Sequence, residues 1–232
     1  MVAFWAAYLI FIGVMLSFAF EDIFPSMEPY HIMNQGLIYL LILDFLLRFM
    51  LQPAMSQEIK PYLLMPVKKN KLVDTLLLQS GISSYNFFWF FLIIPFALFT
   101  IIRFYGLTGI LCYLCGIWLL MVMNSYWYLI CKTLLNEKTC LIYFSRSEYN
   151  GLLVGAEFIP EGNPVSTFMM NLGEGFIEGN ILAFLGVIAA ILLLLLVNRK
   201  LQLHFIYNEI AKVEDTKMKH VSEYNSWTAM VT

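Results

Sequence analysis

Residues 36–51 read GLIYLLILDFLLRFML, an apolar run broken only by Asp44 and Arg48. About 20 mostly apolar residues carry a helix through the hydrocarbon core of a bilayer. Two charges four residues apart share one face of such a helix. Each alone in lipid is expensive, whereas the pair can neutralise itself and turn away from the tails. The stretch therefore reads as a membrane-spanning helix with one charged stripe. The stripe is either part of a substrate or proton pathway or an ion pair inside the bundle that orients the helix. The ion pair is the simpler reading, with Arg48 near enough to the inner end to snorkel toward water.

The rest of the chain agrees with a membrane setting. Of 232 residues, 60% are hydrophobic and 13% charged, against about 45–50% and about 25% in an ordinary soluble domain. The mean hydropathy is +0.75. A soluble enzyme and a disordered chain do not have this composition. With 14 Lys+Arg against 16 Asp+Glu there is no basic footprint for nucleic acid either. The fold class is all-α, a polytopic transmembrane helical bundle. Further spans fall at 2–20, 86–102, 106–131 and 180–197. No Lys or Arg precedes the first and no small-residue cleavage site follows it, so it reads as a span rather than a signal peptide.

One more crossing follows from charge. Lys60, Lys68, Lys69 and Lys71 lie between the second and third spans. Lys132 and Lys138 follow the fourth, and Arg199, Lys200, Lys212, Lys217 and Lys219 follow the last. The segments 21–35 and 157–178 carry acids and no Lys or Arg, and Arg103 is the one base on their side. Basic loops stay in the cytoplasm, so the chain must cross between Lys138 and Glu161. The crossing falls at 139–159, a weak or partly re-entrant span because it carries Arg146, Glu148 and Glu157. The expectation is about six spans with both termini cytoplasmic, 1–200 forming the membrane domain and 201–232 a cytoplasmic helical extension and polar tail. A five-span arrangement with 139–178 entirely interfacial remains open.

The inner loop 52–85 contains Pro53, Pro61 and Pro66, which interrupt helix. Residues 72–78 with Lys68, Lys69 and Asp74 predict a short amphipathic surface helix, its lysines among headgroups and its leucines in the acyl boundary. A plain connector is the alternative. In the outer segment 160–179, Ser166 and Thr167 can cap a helix starting near Phe168. That helix would dip back and bury Phe168, Met169 and Met170; a loop with a few hydrophobes is the alternative. Tyr126, Trp127 and Tyr128 read as an interfacial aromatic belt.

Signs of chemistry are few. Cys112 and Cys115 stand three apart, but no second CxxC or histidine pair joins them, and His31, His204 and His220 are scattered. No GxSxG, HExxH, GxxxxGK[ST] or GxGxxG occurs. The expectation is no catalytic residue, no metal and no cofactor, with any nucleotide site on another polypeptide.

The segments LILDFLLRFMLQ at 41–52 and PYLLMPVKKNKLV at 61–73 carry a resemblance. The second is similar to the pattern P-Y-L-x-L-P-[IV]-x-[KR]-x-[KR]-L-V, matched by Pro61, Tyr62, Leu63, Pro66, Val67, Lys69, Lys71, Leu72 and Val73, with Met65 where leucine is more usual. This pattern, between a second span with Asp and Arg and an aromatic third span, resembles a family of bacterial multi-span proteins placed with the type-2 ABC exporter permeases. The resemblance implies a coupling loop that docks on a separate ABC-type ATPase subunit through Pro61, Tyr62, Leu63, Pro66, Lys68, Lys69, Lys71 and Leu72. It also implies a re-entrant outer segment, a second permease half or homodimer partner, membrane lipids around the bundle and a bacterial inner membrane. Such permeases usually carry a connecting helix ahead of the first span, and the family has further spans after the tail, so a half-length member or fragment is expected. The alternative function is a non-transporting scaffold or assembly subunit of an envelope complex.

Overall fold

A computed structural model describes residues 2–25, 27–52, 68–136, 164–204 and 206. All regular structure among them is helical: α1 Val2–Ile23, α2 Pro29–Leu51, α3 Lys69–Gly81, α4 Ser84–Phe88, α5 Phe90–Thr100, α6 Ile102–Asn136, α7 Pro164–Ile177 and α8 Ile181–His204. Four of these, α1, α2, α6 and α8, are long and apolar enough to cross a membrane. The pair Lys69–Phe88 and Phe90–Thr100, bent by 57°, makes a fifth if counted as one broken span. The expected crossing at 139–159 lies outside the described residues.

Local chemistry sets the helix ends. Pro29 starts α2, seven residues before the apolar run begins, because a proline at N1 loses no hydrogen bond and presets φ. Pro164 starts α7, ahead of the start expected near Phe168. α7 stops in a Schellman turn. Gly179 takes φ +71, its N–H bonds the Phe176 carbonyl at 3.1 Å, and the Asn180 N–H bonds the Gly175 carbonyl at 2.7 Å. The Asn180 side chain then caps α8 by accepting from the Leu182 N–H at 3.0 Å. α6 contains a kink at Gly106, whose φ of 66 and ψ of −164 only glycine adopts cheaply.

α1 lies against α5 across Gly13, where an added Cβ would stand 2.3 Å from the Leu92 carbonyl oxygen. Ser17 and Thr100 share a buried hydroxyl–hydroxyl bond of 2.8 Å at the same seam. The core gathers Leu37, Ile93, Phe96, Tyr113, Ile117 and Phe176 from α2, α5, α6 and α7. Phe4, Phe11 and Phe18 on α1 and Ile181, Leu182, Leu193 and Leu196 on α8 point outward. Apolar faces of this extent on several helices fit a multi-pass protein whose surroundings are lipid tails.

The two ends of the bundle differ in charge. At one, Arg103 meets Glu21 at 3.4 Å, and the two ring nitrogens of His31 face Glu174 at 2.5 Å and Glu28 at 3.5 Å. At the other lie Lys132, beside the last turn of α2, and the pair Asp74–Arg199. α6 reaches that basic end at Asn136. In the acidic half, Met170, Gly173 and Glu174 of α7 meet Gln35, Asn34 and His31 in antiparallel order along α2.

Candidate functional site

The charged stripe of α2 is the centre of a polar junction. Arg48 Nε donates to Asp44 Oδ2 at 2.7 Å, and both side chains are buried, Arg48 completely. The expected snorkelling of Arg48 does not occur, because its guanidinium is turned inward: Nη2 donates to Asn86 Oδ1 at 2.7 Å. Asp44 accepts two further bonds, from Trp89 Nε1 at 2.7 Å and from Asn124 Nδ2 at 2.7 Å. Asn124 also donates to the Leu41 carbonyl at 3.0 Å. Bonds to charged groups at such lengths are the strong ones in proteins. Five side chains from α2, α4, α6 and the Trp89 break are thereby tied together in apolar surroundings.

The same region also supplies side-chain donors to carbonyls at helix ends, where backbone partners run out. Three carbonyls at the end of α3 each receive a side-chain donor. The Leu77 carbonyl takes the Tyr126 hydroxyl at 3.2 Å, the Ser80 carbonyl takes the Ser125 hydroxyl at 3.2 Å, and the Gly81 carbonyl takes Asn86 Nδ2 at 2.5 Å. At the end of α2 the Gln52 carbonyl accepts from the Tyr128 hydroxyl at 3.1 Å and from Lys132 Nζ, which also reaches the Phe49 carbonyl at 3.0 Å. The stretch 124–132 of α6 thus fastens the C-terminal ends of two other helices. This corrects the aromatic-belt reading: Tyr126 and Tyr128 are buried donors, and only Trp127 faces outward.

α3 is the amphipathic helix expected from 72–78, longer at both ends. Part of its apolar face packs on protein, while Leu78 stays exposed. Val73 and Leu77 are fully buried against Val122, Tyr126, Leu129 and Ile206, with Leu72 half-buried beside them. Arg199 of α8 grips Asp74 through two bonds, 2.8 and 3.2 Å. The opposite face shows Lys68 and Lys71, with Lys69 half-buried. Pro61, Tyr62, Leu63 and Pro66 lie outside the described residues.

On the acidic half, Phe168 is 60% exposed, while Met169 and Met170 are half-buried. The seat of α7 is instead built from glycines. The Phe176 ring occupies the space over Gly116, and Asn34 occupies the space over Gly173. Tyr113 donates to Asn34 Oδ1 at 3.0 Å. Among the described residues no three His, Cys, Asp or Glu side chains converge as metal ligands.

Sequence reasoning found Asp44 and Arg48 but missed Asn86, Trp89 and Asn124. The available signal was the lone asparagine inside an apolar run, which in a membrane helix implies a buried partner. Nothing in the spacing says that Trp89 interrupts a helix.

Together these features define an α-helical, multi-pass membrane-type chain with a buried polar junction at its basic end. The chain belongs to the DUF5687 family, a family of unknown function, whose profile matches residues 1–229. No curated protein and no solved structure matches it.

Proposed function

We propose that this chain is the membrane-spanning permease subunit of an ATP-driven, ABC-type exporter, with a separate ATPase subunit docked on α3 and the preceding residues. The observation that carries the reading is α3 itself. It is an amphipathic helix at the basic end, its Val73 and Leu77 sealed against α6, its outer face bearing Lys68 and Lys71. Its C-terminal end is bonded to the buried junction through Asn86. A surface helix held this way passes a push from outside the bilayer into the bundle. A free connector would need neither the buried caps nor the Asp74–Arg199 clamp.

In this reading both termini are cytoplasmic, six crossings include 139–159, and α7 is the re-entrant outer element. The antiparallel run of Met170–Glu174 along Gln35–His31 fits that role. The chain itself supplies no nucleotide chemistry, and a second copy or second permease half completes the pathway. The test is charge reversal of Lys68, Lys69 and Lys71 to Glu in the natively expressed protein, followed by mass spectrometry of what co-purifies. The expected outcome is an ATPase present with the unaltered chain and lost from the triple variant. An ATPase retained in full, or none found with the unaltered chain, overturns the assignment.

A further inference from the structure

The third membrane element is broken twice, and the two breaks differ in kind. At Ser83 the backbone is extended, with φ −62 and ψ 144, so α3 and α4 meet in a corner, spanned by the Ser83 N–H on the Ser80 carbonyl and Asn86 Nδ2 on the Gly81 carbonyl. At Trp89 the dihedrals are φ −71 and ψ −16, close to helical values of about −63 and −42. Trp89 itself is helical in dihedrals, and the ladder is interrupted around it instead: its N–H bonds the Phe87 carbonyl and not that of Tyr85 one turn back, which makes this the joint between α4 and α5. The Trp89 carbonyl already accepts from the Leu92 and Ile93 amides, both at 3.0 Å, a bonding shared between the tighter and the regular helical turn. Backbone strain does not hold the bend.

Side chains do. The Trp89 indole N–H is bonded to Asp44 Oδ1, and Asn86, one turn earlier, is bonded to Arg48. Both anchors sit on α2, four residues apart, on the one charged stripe of that helix. Swinging Trp89 away would leave Asp44 with a bare oxygen and an indole N–H without a partner in a site that water does not reach, a cost paid for each group separately. Asn124, by contrast, holds Asp44 from α6, and its hydrogen bonds among the described residues go to α2, to Asp44 and the Leu41 carbonyl.

We infer that Trp89 is a hinge and that the Asp44–Arg48 pair is its latch, so that the third element has a bent, latched state and a straighter, released one. Trp89 and Asn86 are positioning residues: they set the angle between α3 and α5. The inference deepens the coupling role proposed above by naming the joint through which a force on α3 would act. It is tested without an ATPase, so its outcome is independent of that role.

The test is a pair of spin labels at two exposed positions, Gln79 on α3 and Leu98 on α5. They are introduced into an otherwise cysteine-free full chain in lipid nanodiscs, and their separation is measured by pulsed electron resonance. The unaltered hinge gives one short distance. Trp89→Phe, which keeps a ring and removes the N–H, is expected to add a longer-distance population on the order of 10% or more. Asn86→Ala, which cuts the Arg48 link together with the bond to the Gly81 carbonyl, shifts the distribution the same way. Asn86→Asp, which keeps an oxygen for Arg48 and loses only the Gly81 bond, leaves the short distance. This pair decides the matter should the Phe variant fail to fold. Asn124→Ala leaves the single short distance. An unchanged distribution in the folded Trp89→Phe and Asn86→Ala variants overturns the inference. So does the same lengthening in Asn124→Ala, because the junction would then be a general brace rather than a latch on this joint.

Discussion

Asp44 accepts from Arg48, Trp89 and Asn124, whereas Arg48 donates to Asp44 and Asn86, so the two members of the pair leave different debris when removed. Breaking a buried ion pair by removing one partner costs about 3–5 kcal/mol, because the survivor keeps its charge and loses its compensation. Asp44→Leu strands the charged Arg48 Nε and the Trp89 indole N–H, while Asn124 keeps the Leu41 carbonyl. Arg48→Leu leaves the carboxylate with two N–H partners and strands one amide oxygen. Asp44→Leu is therefore expected to destabilise the chain more than Arg48→Leu, read as the midpoint of denaturant unfolding in a single detergent. Equal midpoints, or the reverse order, would mean that Trp89 and Asn124 contribute little to holding the carboxylate. A smaller effect belongs to Tyr126. Its hydroxyl reaches the Leu77 carbonyl only because Gly81 offers no Cβ, which would stand 2.6 Å from that oxygen. Tyr126→Phe is expected to cost about 0.5–1.5 kcal/mol in the same assay, whereas a solvent-exposed tyrosine at the headgroup level would show almost none.

At the scale of elements, α7 is seated by shape more than by charge. A Cβ at Gly116 would lie 2.2 Å from Phe176 Cγ, and one at Gly173 would lie 2.4 Å from Asn34 Cγ. Neither neighbour has room to yield, since Phe176 and Asn34 are both fully buried. Gly116→Ala and Gly173→Ala are each expected to destabilise the seat by about 1–3 kcal/mol and to open residues 164–177 to protease in membrane vesicles. Gly36→Ala is the control. Nothing lies within 4 Å of its added methyl group, so helix propensity alone should make it neutral or up to about 1 kcal/mol favourable. Cleavage that does not change in the first two variants would show that α7 is held elsewhere. The seat also shows where reading a sequence stops. Apolar run lengths gave α1, α2, α6 and α8, and a single Asp–Arg spacing gave the ion pair, because both are local signals. The glycine seat, the Trp89 break and the capping of α2 and α3 by 124–132 are pairings between residues dozens of positions apart. No local period encodes such pairings.

For the whole molecule the remaining question is orientation, and the segregation of charge makes it measurable. Lys68, Lys69, Lys71, Lys132, Arg199 and Lys200 gather at one end; Glu21, Glu28, Glu174 and Glu178 gather at the other, with Arg103 paired to Glu21. Retention of basic segments on the cytoplasmic side predicts which end is which. Single cysteines at Glu28 and Glu178 are therefore expected to react with a membrane-impermeant maleimide in intact cells. Cysteines at Lys71 and Lys200 should react only after permeabilisation. The helix order makes the pattern demanding. In the six-crossing reading α1, α2, the bent α3–α5 element and α6 alternate in direction, so that reading requires Glu28 and Lys71 to fall on opposite sides whatever the absolute orientation. Labelling of Lys71 in intact cells together with Glu28 would mean that α3–α5 does not follow a complete crossing by α2. Reversed labelling of all four would preserve the fold and remove the cytoplasmic docking of α3, because the lysine face would then be on the side without ATP.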